Sequence, residues 1–286
     1  MTALELSACV CGRPRHRGMC SERWALRRSG EGLPPRPKLK PEHSAPGTPK
    51  RRFTEHTPPG APYTLAADHP AVREARTLFA ARRVRAALQD RLLKSAEHNR
   101  KIGGSVTKGH LRGIKVFTLT LEERATCPKT CVNFRDCYGN NMNWSSRIQV
   151  DGDLMILLSA EVRKLVAVHG RILVRLHVLG DFFSTAYVAF WHALLHALPG
   201  LHLYGYTARN GCAIGREIER INEHPRCWIR FSGGRPGQFR ALTVESVDQA
   251  AEAGAIVCPV QTNRTDCCGT CGLCWSTPKP IAFLRH

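Results

Sequence analysis

The chain has 286 residues, 43% of them hydrophobic, enough for one large domain or two small ones around a sizeable core. No apolar run approaches the roughly 18 to 20 residues of a membrane span. The N-terminus MTALELSACVCGR lacks the basic-then-apolar pattern and cleavage site of a secretory signal, so a cytoplasmic protein with no membrane partner is expected. Lys and Arg exceed Asp and Glu by 19, as +7 over residues 1–60, +8 over 61–115 and +4 over 116–286. A polycation of that shape points to nucleic acid, held through the basic N-terminal region; a solvated basic tail is the plainer alternative.

Residues 1–29 hold Cys9, Cys11 and Cys20 in CVCGRPRHRGMCSERWALRRSG. The stretch resembles the small zinc knuckles beside DNA-acting phage and recombinase proteins. Arg23 stands where such knuckles place their fourth ligand, and His16 is the available substitute. Residues 30–62 are rich in Pro, Gly and charge and too poor in apolar side chains to offset ordering entropy, which reads as a disordered basic linker. The main domain is expected over 63–286.

Apolar residues at helical spacing, among them Val72, Ala75, Leu78, Val84, Leu88 and Leu92, predict a helix from Ala71 to about Lys94. The glycine-punctuated basic loop HNRKIGGSVTKGH follows. Strands are expected at Ile114–Leu121, Ile172–Leu179, Leu201–Thr207, Cys227–Phe231 and Ala255–Val257. Helices are expected between them, at Leu154–His169, Thr185–Leu198, Ile214–Asn222 and Val247–Ala253. This alternation predicts an α/β fold, either a partial (β/α) barrel or an open parallel sheet, preceded by a disordered basic N-terminal region.

In such folds working residues gather at the carboxyl ends of the strands. The unusual residues here fall at those places: Cys127 to Cys137, Gly180-Asp181, Thr207 to Arg209, Ser232 to Gly234, and Cys258. Thirteen cysteines in a reducing compartment are poorly explained by disulfides, whereas clusters at ligand-like spacing suit a metal. Cys127, Cys131 and Cys137 are spaced C-x3-C-x5-C, three thiolates that need either a distant fourth ligand or a non-protein one. Cys268, Cys271 and Cys274 are spaced C-x2-C-x2-C, as in ferredoxin-type cluster loops. With Cys258 they make four ligands, and Cys267 is a spare or alternative. An iron–sulfur cluster, of the four-iron kind, is expected here, with zinc as the alternative. Asp181, Thr207 and Arg209 are candidate ligand-binding groups, while Asp181 can equally cap the following helix. Phe182, Phe183, Trp191 and His177 read as core. No Walker loop, GxSxG, HExxH or dinucleotide fingerprint occurs.

The series TLTLEERATCPKTC…DCYGNN, RLHVLGDFFS, LYGYTAR and CPVQTNRTDCCGTCGLCW resembles the bacteriophage and plasmid "gene product 88" family over about residues 95–286. That resemblance implies a mobile-element setting. More coarsely, the layout is similar to radical S-adenosylmethionine enzymes. The similarity implies an open (β/α) barrel, a four-iron cluster on Cys127, Cys131 and Cys137, and S-adenosylmethionine at the open iron. Gly180-Asp181 would then hold the ligand's amino group, and Cys258 to Cys274 an auxiliary cluster. The spacing departs from the usual C-x3-C-x2-C of that group. Two functions follow as expectations: an enzyme acting on a nucleic acid or nucleotide-linked substrate, or a non-catalytic nucleic-acid-binding protein stapled by zinc or a closed cluster.

Overall fold

The computed structural model describes residues 83–134, 137–142 and 145–285. The expected knuckle at 1–29, the linker at 30–62 and the first part of the expected helix lie outside the described residues. Along the chain run β1 (Arg83–Arg85), β2 (Leu93–Ser95), β3 (Lys115–Leu119), α1 (Glu123–Thr126), β4 (Ser146–Ile148) and α2 (Leu154–His169). Next come β5 (Ile172–Leu176), α3 (Thr185–Ala197), β6 (Leu201–Thr207), α4 (Ala213–Ile221) and β7 (Cys227–Ser232). The rest is β8 (Arg240–Val244), α5 (Val247–Glu252), β9 (Ile256–Val257), α6 (Cys268–Cys271) and β10 (Ile281–Leu284).

Eight strands form one sheet in the order β2-β3-β5-β6-β7-β8-β10-β9, open at both ends. Every neighbouring pair is parallel except β2 with β3. β1 and β4 make a separate parallel pair. From β3 to β8 each new parallel strand is laid beside the last, and right-handed crossovers then put the connecting helices on one face. The packing agrees. Leu154, Leu158 and Val162 of α2, Tyr187, Trp191 and Leu195 of α3, and Ile218 and Ile221 of α4 share one cluster with Ile172, Val174, Leu201, Leu203 and Ile229 of the strands. Alternate strand residues point the other way. On that second face Val116, Leu173 and Tyr204 are covered by Ile102, Val106, Leu111 and Ile114 and by the cysteine-bearing C-terminal segment with Cys268, Cys274 and Trp275. The sheet therefore has a helical side and a side covered by two irregular segments. Gly205 lets β6 approach the end of β5: a Cβ there would lie 1.8 Å from the Leu176 carbonyl oxygen.

The helix expected at 71–94 is absent over its described part, which forms β1, a short 3-10 turn and β2. The open edge of β3 recruits residues 93–95 as an antiparallel strand, Leu93 opposite Leu119. Carboxylates take amides that a helix would have used: Ala87 N–H donates to Asp151 Oδ2 (2.8 Å) and Leu92 N–H to Glu161 Oε2 (3.0 Å). Leu92 is buried, yet Leu88, its partner on the expected helix face, is 71% exposed. The strand expected over Ile172–Leu179 stops at Leu176. β8 and β10 were not anticipated.

Phe182, Trp191 and His177 are buried, as expected of core residues. His177 Nε2 lies 3.1 Å from the Tyr187 hydroxyl. Burial, helped by the charge of Arg175, brings its pKa down to about 3 from 6.5.

Two outcomes follow. Leu92→Ala should cost roughly 2–5 kcal/mol, read from the urea midpoint, while Leu88→Ala stays within about 0.5 kcal/mol of the wild type. Equal losses would restore the helix. His177 stays neutral in the folded chain between its two pKa values, where the unfolded chain binds a proton, so stability falls as pH drops through that window. Between pH 6.5 and 5 this amounts to roughly 2 kcal/mol, at about 1.4 kcal/mol per unit. His177→Gln should flatten the dependence by that amount; parallel pH profiles would refute the assignment.

Candidate metal centre

The candidate ligand residues at the ends of β5 and β6 do come together. Gly180 has φ +90°, and a Cβ there would lie 2.7 Å from Leu121 Cβ and 2.8 Å from Thr126 Oγ1. Asp181 follows, buried. Its Oδ1 accepts from Phe182 N–H (2.7 Å) and the Thr207 hydroxyl (2.7 Å), and its Oδ2 from Ala208 N–H (2.8 Å). Burial raises its pKa, against the opposing effects of these donors and of Arg209. Three of the acceptor positions of Asp181 are thus taken by the chain itself, and the group works as a latch between two strand ends. Its own N–H donates to Thr126 Oγ1 (3.1 Å), which ties the latch to α1.

Cys127, Cys131 and Cys137 follow α1, at the carboxyl end of β3, and three buried arginines hold their loop. Arg209 donates to the carbonyl of Phe182 (2.7 Å) and to that of Thr126, next to Cys127. Arg124 donates to the Phe134 carbonyl (3.1 Å) and sits 5.0 Å from the centre of that ring. Arg147 pairs with Glu123 at 2.8 Å, both almost fully buried, and donates to the carbonyls of Gly139, Met142 and Ser145 at 2.9 Å each. The three thiols act on one another electrostatically. Burial raises the pKa of all three; Asp181 adds to this at Cys127, Glu123 at Cys137, and Cys131 reaches about 11. Neutral thiols beside carboxylates are groups that a bound cation would turn into thiolates.

The second cysteine segment, with the short α6, lies on the face opposite α2, α3 and α4. Arg230, buried on β7, donates to the carbonyls of Cys274 (3.2 Å), Leu273 (3.2 Å), Thr277 (2.6 Å) and Lys279 (2.9 Å). Cys258, Cys268 and Cys271 all feel the charge of Cys274. Cys274 Sγ is 2.9 Å from the Tyr206 hydroxyl. Hydrogen bonds from the Cys268 thiol and from Tyr206, with Arg230 and Arg175 nearby, bring the Cys274 pKa down to about 6 despite burial; Cys268, which keeps the proton, is raised. The Tyr204 hydroxyl is buried without a hydrogen-bond partner and feels Cys267, Cys268 and Cys274. Cys267 itself faces Thr270 Oγ1 (3.5 Å) and the backbone of Gly103. Arg175 lies over the rings of Tyr206 (4.5 Å) and Tyr204 (5.5 Å), and its charge also reaches Tyr138 of the first loop.

Among the described residues no group of three or more His, Cys, Asp or Glu side chains is already arranged to hold a metal ion. The chemistry of the donors nevertheless fits one. Four cysteines act on one another in one small region, the pKa of buried Cys274 is lowered by its Cys268 and Tyr206 partners, and the Tyr204 hydroxyl is buried beside them without a partner among the described residues. A cluster or zinc supplies the positive charge that four thiolates require. Arg209 was a candidate from the sequence, but the bracing Arg124, Arg147 and Arg230 escaped the sequence reading because Arg is seldom fully buried. For Arg230 a signal was present: CWIRFS places one Arg inside an otherwise largely apolar strand.

Arg147→Met removes the guanidinium partner of a buried carboxylate and should cost about 3–5 kcal/mol in urea. A loss under 1 kcal/mol would refute the role given to this pair.

The family model described as gene product 88 matches residues 88–272. The match runs from β2 through α6 and takes in the first cysteine loop, the Asp181 latch and most of the second segment. No curated protein and no solved structure matches the chain. With well over half of its length matched by that model, the chain belongs to the gene product 88 family.

Proposed function

We propose that the protein is an iron–sulfur protein. In this reading Cys258, Cys268, Cys271 and Cys274 hold one cluster. Cys127, Cys131 and Cys137 hold three corners of another, with one iron left for a non-protein ligand. The observation that carries the reading is the setting of Cys274: a buried sulfur 2.9 Å from the Tyr206 hydroxyl, on a backbone held by Arg230, with the Tyr204 hydroxyl buried beside it and without a partner among the described residues. Those surroundings favour negatively charged sulfur, and hydrogen bonds to cluster sulfur tune such centres. Cys267, turned toward Thr270, stands outside the ligand set.

The first set supports an open-site role through its place. It follows the first of the successive parallel strands, against the latch that joins the ends of β5 and β6. A cluster with an open iron supplies one-electron reduction to a bound sulfonium such as S-adenosylmethionine. Thr207, Arg209 and Asp181 then serve by fixing the Cys127 turn, to which several of their polar groups are committed. The basic segments supply the attraction for a nucleic-acid or nucleotide-linked substrate.

Anaerobic purification with iron, sulfide and zinc analysis and a visible spectrum tests the reading. A brown protein with acid-labile sulfide is expected, with Cys271→Ser losing about half of the iron if both clusters fill. Cys267→Ser should keep the wild-type content. A colourless protein containing zinc alone would overturn it. A brown protein whose spectrum ignores S-adenosylmethionine would confine it to closed clusters.

A further inference from the structure

Residues 96–114, between β2 and β3, cover part of the face opposite α2, α3 and α4 and are clasped there by the second cysteine segment. Cys268 N–H donates to the Lys101 carbonyl (2.8 Å), Gly269 N–H to that of Ile102 (2.8 Å), and Thr107 N–H to that of Gly269 (3.0 Å). The seat is tight. A Cβ on Gly269 would lie 2.3 Å from the Ser105 carbonyl oxygen, and one on Gly103 2.5 Å from Cys267 Sγ. The covering segment is also folded on itself, with Val106 N–H on the Ile114 carbonyl (2.9 Å) and Gly113 N–H on that of Val106 (2.8 Å).

This frame sorts the side chains. Ile102, Val106, Leu111 and Ile114 point into the core, while Arg100, Lys101, Lys108 and Arg112 are exposed. Among the described residues none of these four is in an ion pair; in this segment only Lys115 is, with Glu97 at 3.7 Å. Lys101 and Lys108 act on the thiols of Cys258 and Cys271, so the cations flank the cysteine loop. A membrane surface would need apolar side chains beside the cations, and here those are buried. A polyanion of repeating charge fits four fixed cations in a sequence whose positive excess lies mostly before residue 116. His110, edge-on to the half-buried Trp228 at 6.0 Å, adds aromatic surface beside them.

We propose that Arg100, Lys101, Lys108 and Arg112 form a phosphate-binding surface for nucleic acid, kept in shape by the second cysteine segment. Metal loading of that segment therefore tightens nucleic-acid binding, a consequence that rests on the iron–sulfur reading above. The metal-bearing loop and the binding loop share three backbone hydrogen bonds, so order in one is order in the other.

The test uses the full chain as purified, its metal content measured, and a labelled DNA duplex of mixed sequence titrated over a salt series. Replacing the four together (Arg100→Ala, Lys101→Ala, Lys108→Ala, Arg112→Ala) should reduce the slope of log Kobs against log salt by about 3 to 4, near 0.9 per lost phosphate contact. All four are exposed, so the fold should survive; an unchanged slope overturns the surface. Cys271→Ser, or chelation, should weaken binding by roughly tenfold or more (about 1.4 kcal/mol) in the wild type and have little effect in the fourfold variant. Equal binding with and without metal overturns the coupling. A wild-type protein without iron refutes the iron–sulfur reading instead, and the slope still judges the surface.

Discussion

A loop that turns several cysteines toward one point cannot also pair its own backbone regularly, and buried carbonyls left without donors destabilise the fold. In this protein guanidinium groups supply the missing donors. Arg124, Arg147 and Arg209 serve the loop carrying Cys127, Cys131 and Cys137, and Arg230 serves the segment ending at Cys274. Each has a planar set of donors, and Arg147, Arg209 and Arg230 each reach two or more carbonyls from one side chain, which a lysine's single ammonium does less well. The cost of burying each charge is met in part by those contacts and, for Arg147, by Glu123. The sheet, in turn, provides the rigid points from which two of them reach, Arg209 following β6 and Arg230 on β7, while Arg147 lies on β4 of the separate strand pair.

Laying strands side by side from β3 to β8 gives the molecule two unlike faces. Helices need one face of the sheet for their apolar stripes, and the crossover rule sends α2, α3 and α4 there. The other face is free to accept irregular chain. Both the basic segment and the second cysteine segment lie on it, and Arg175, stacked on Tyr204 and Tyr206, is felt by groups of both cysteine loops. The basic segment and the second cysteine segment thus share one side of one sheet.

Much of this was legible from residue patterns. The β–α alternation marked five of the strands and four of the helices, because apolar runs such as ILVRL and LHLYGYT are bounded by glycine and polar turns. Strand ends named Gly180, Asp181, Thr207 and Arg209 as neighbours, and they are. Less legible was whatever depends on partners far along the chain. Leu88 and Leu92 keep helical spacing, yet the edge of β3 and the carboxylates of α2 decide their fate. β8 and β10 are short strands whose pairing is with each other and with β7 and β9. Nor do residue patterns show that three acceptor positions of Asp181 are filled by Phe182, Thr207 and Ala208 of the chain itself.

The last strand bears on how the protein comes to be folded. β10 lies between β8 and β9, so β9 reaches the sheet only through residues 281–284. Cys258 leaves β9 with its N–H on the carbonyl of Ala282, and Arg230 waits on the carbonyls of Thr277 and Lys279. During synthesis the helical layer and the Asp181 latch can assemble while the later cysteines are still emerging from the ribosome. The second thiol set closes afterward, around a strand inserted into a sheet edge already in place. The ordering of that set is thereby a late event, one that waits for residues 281–284 to take their place in the sheet.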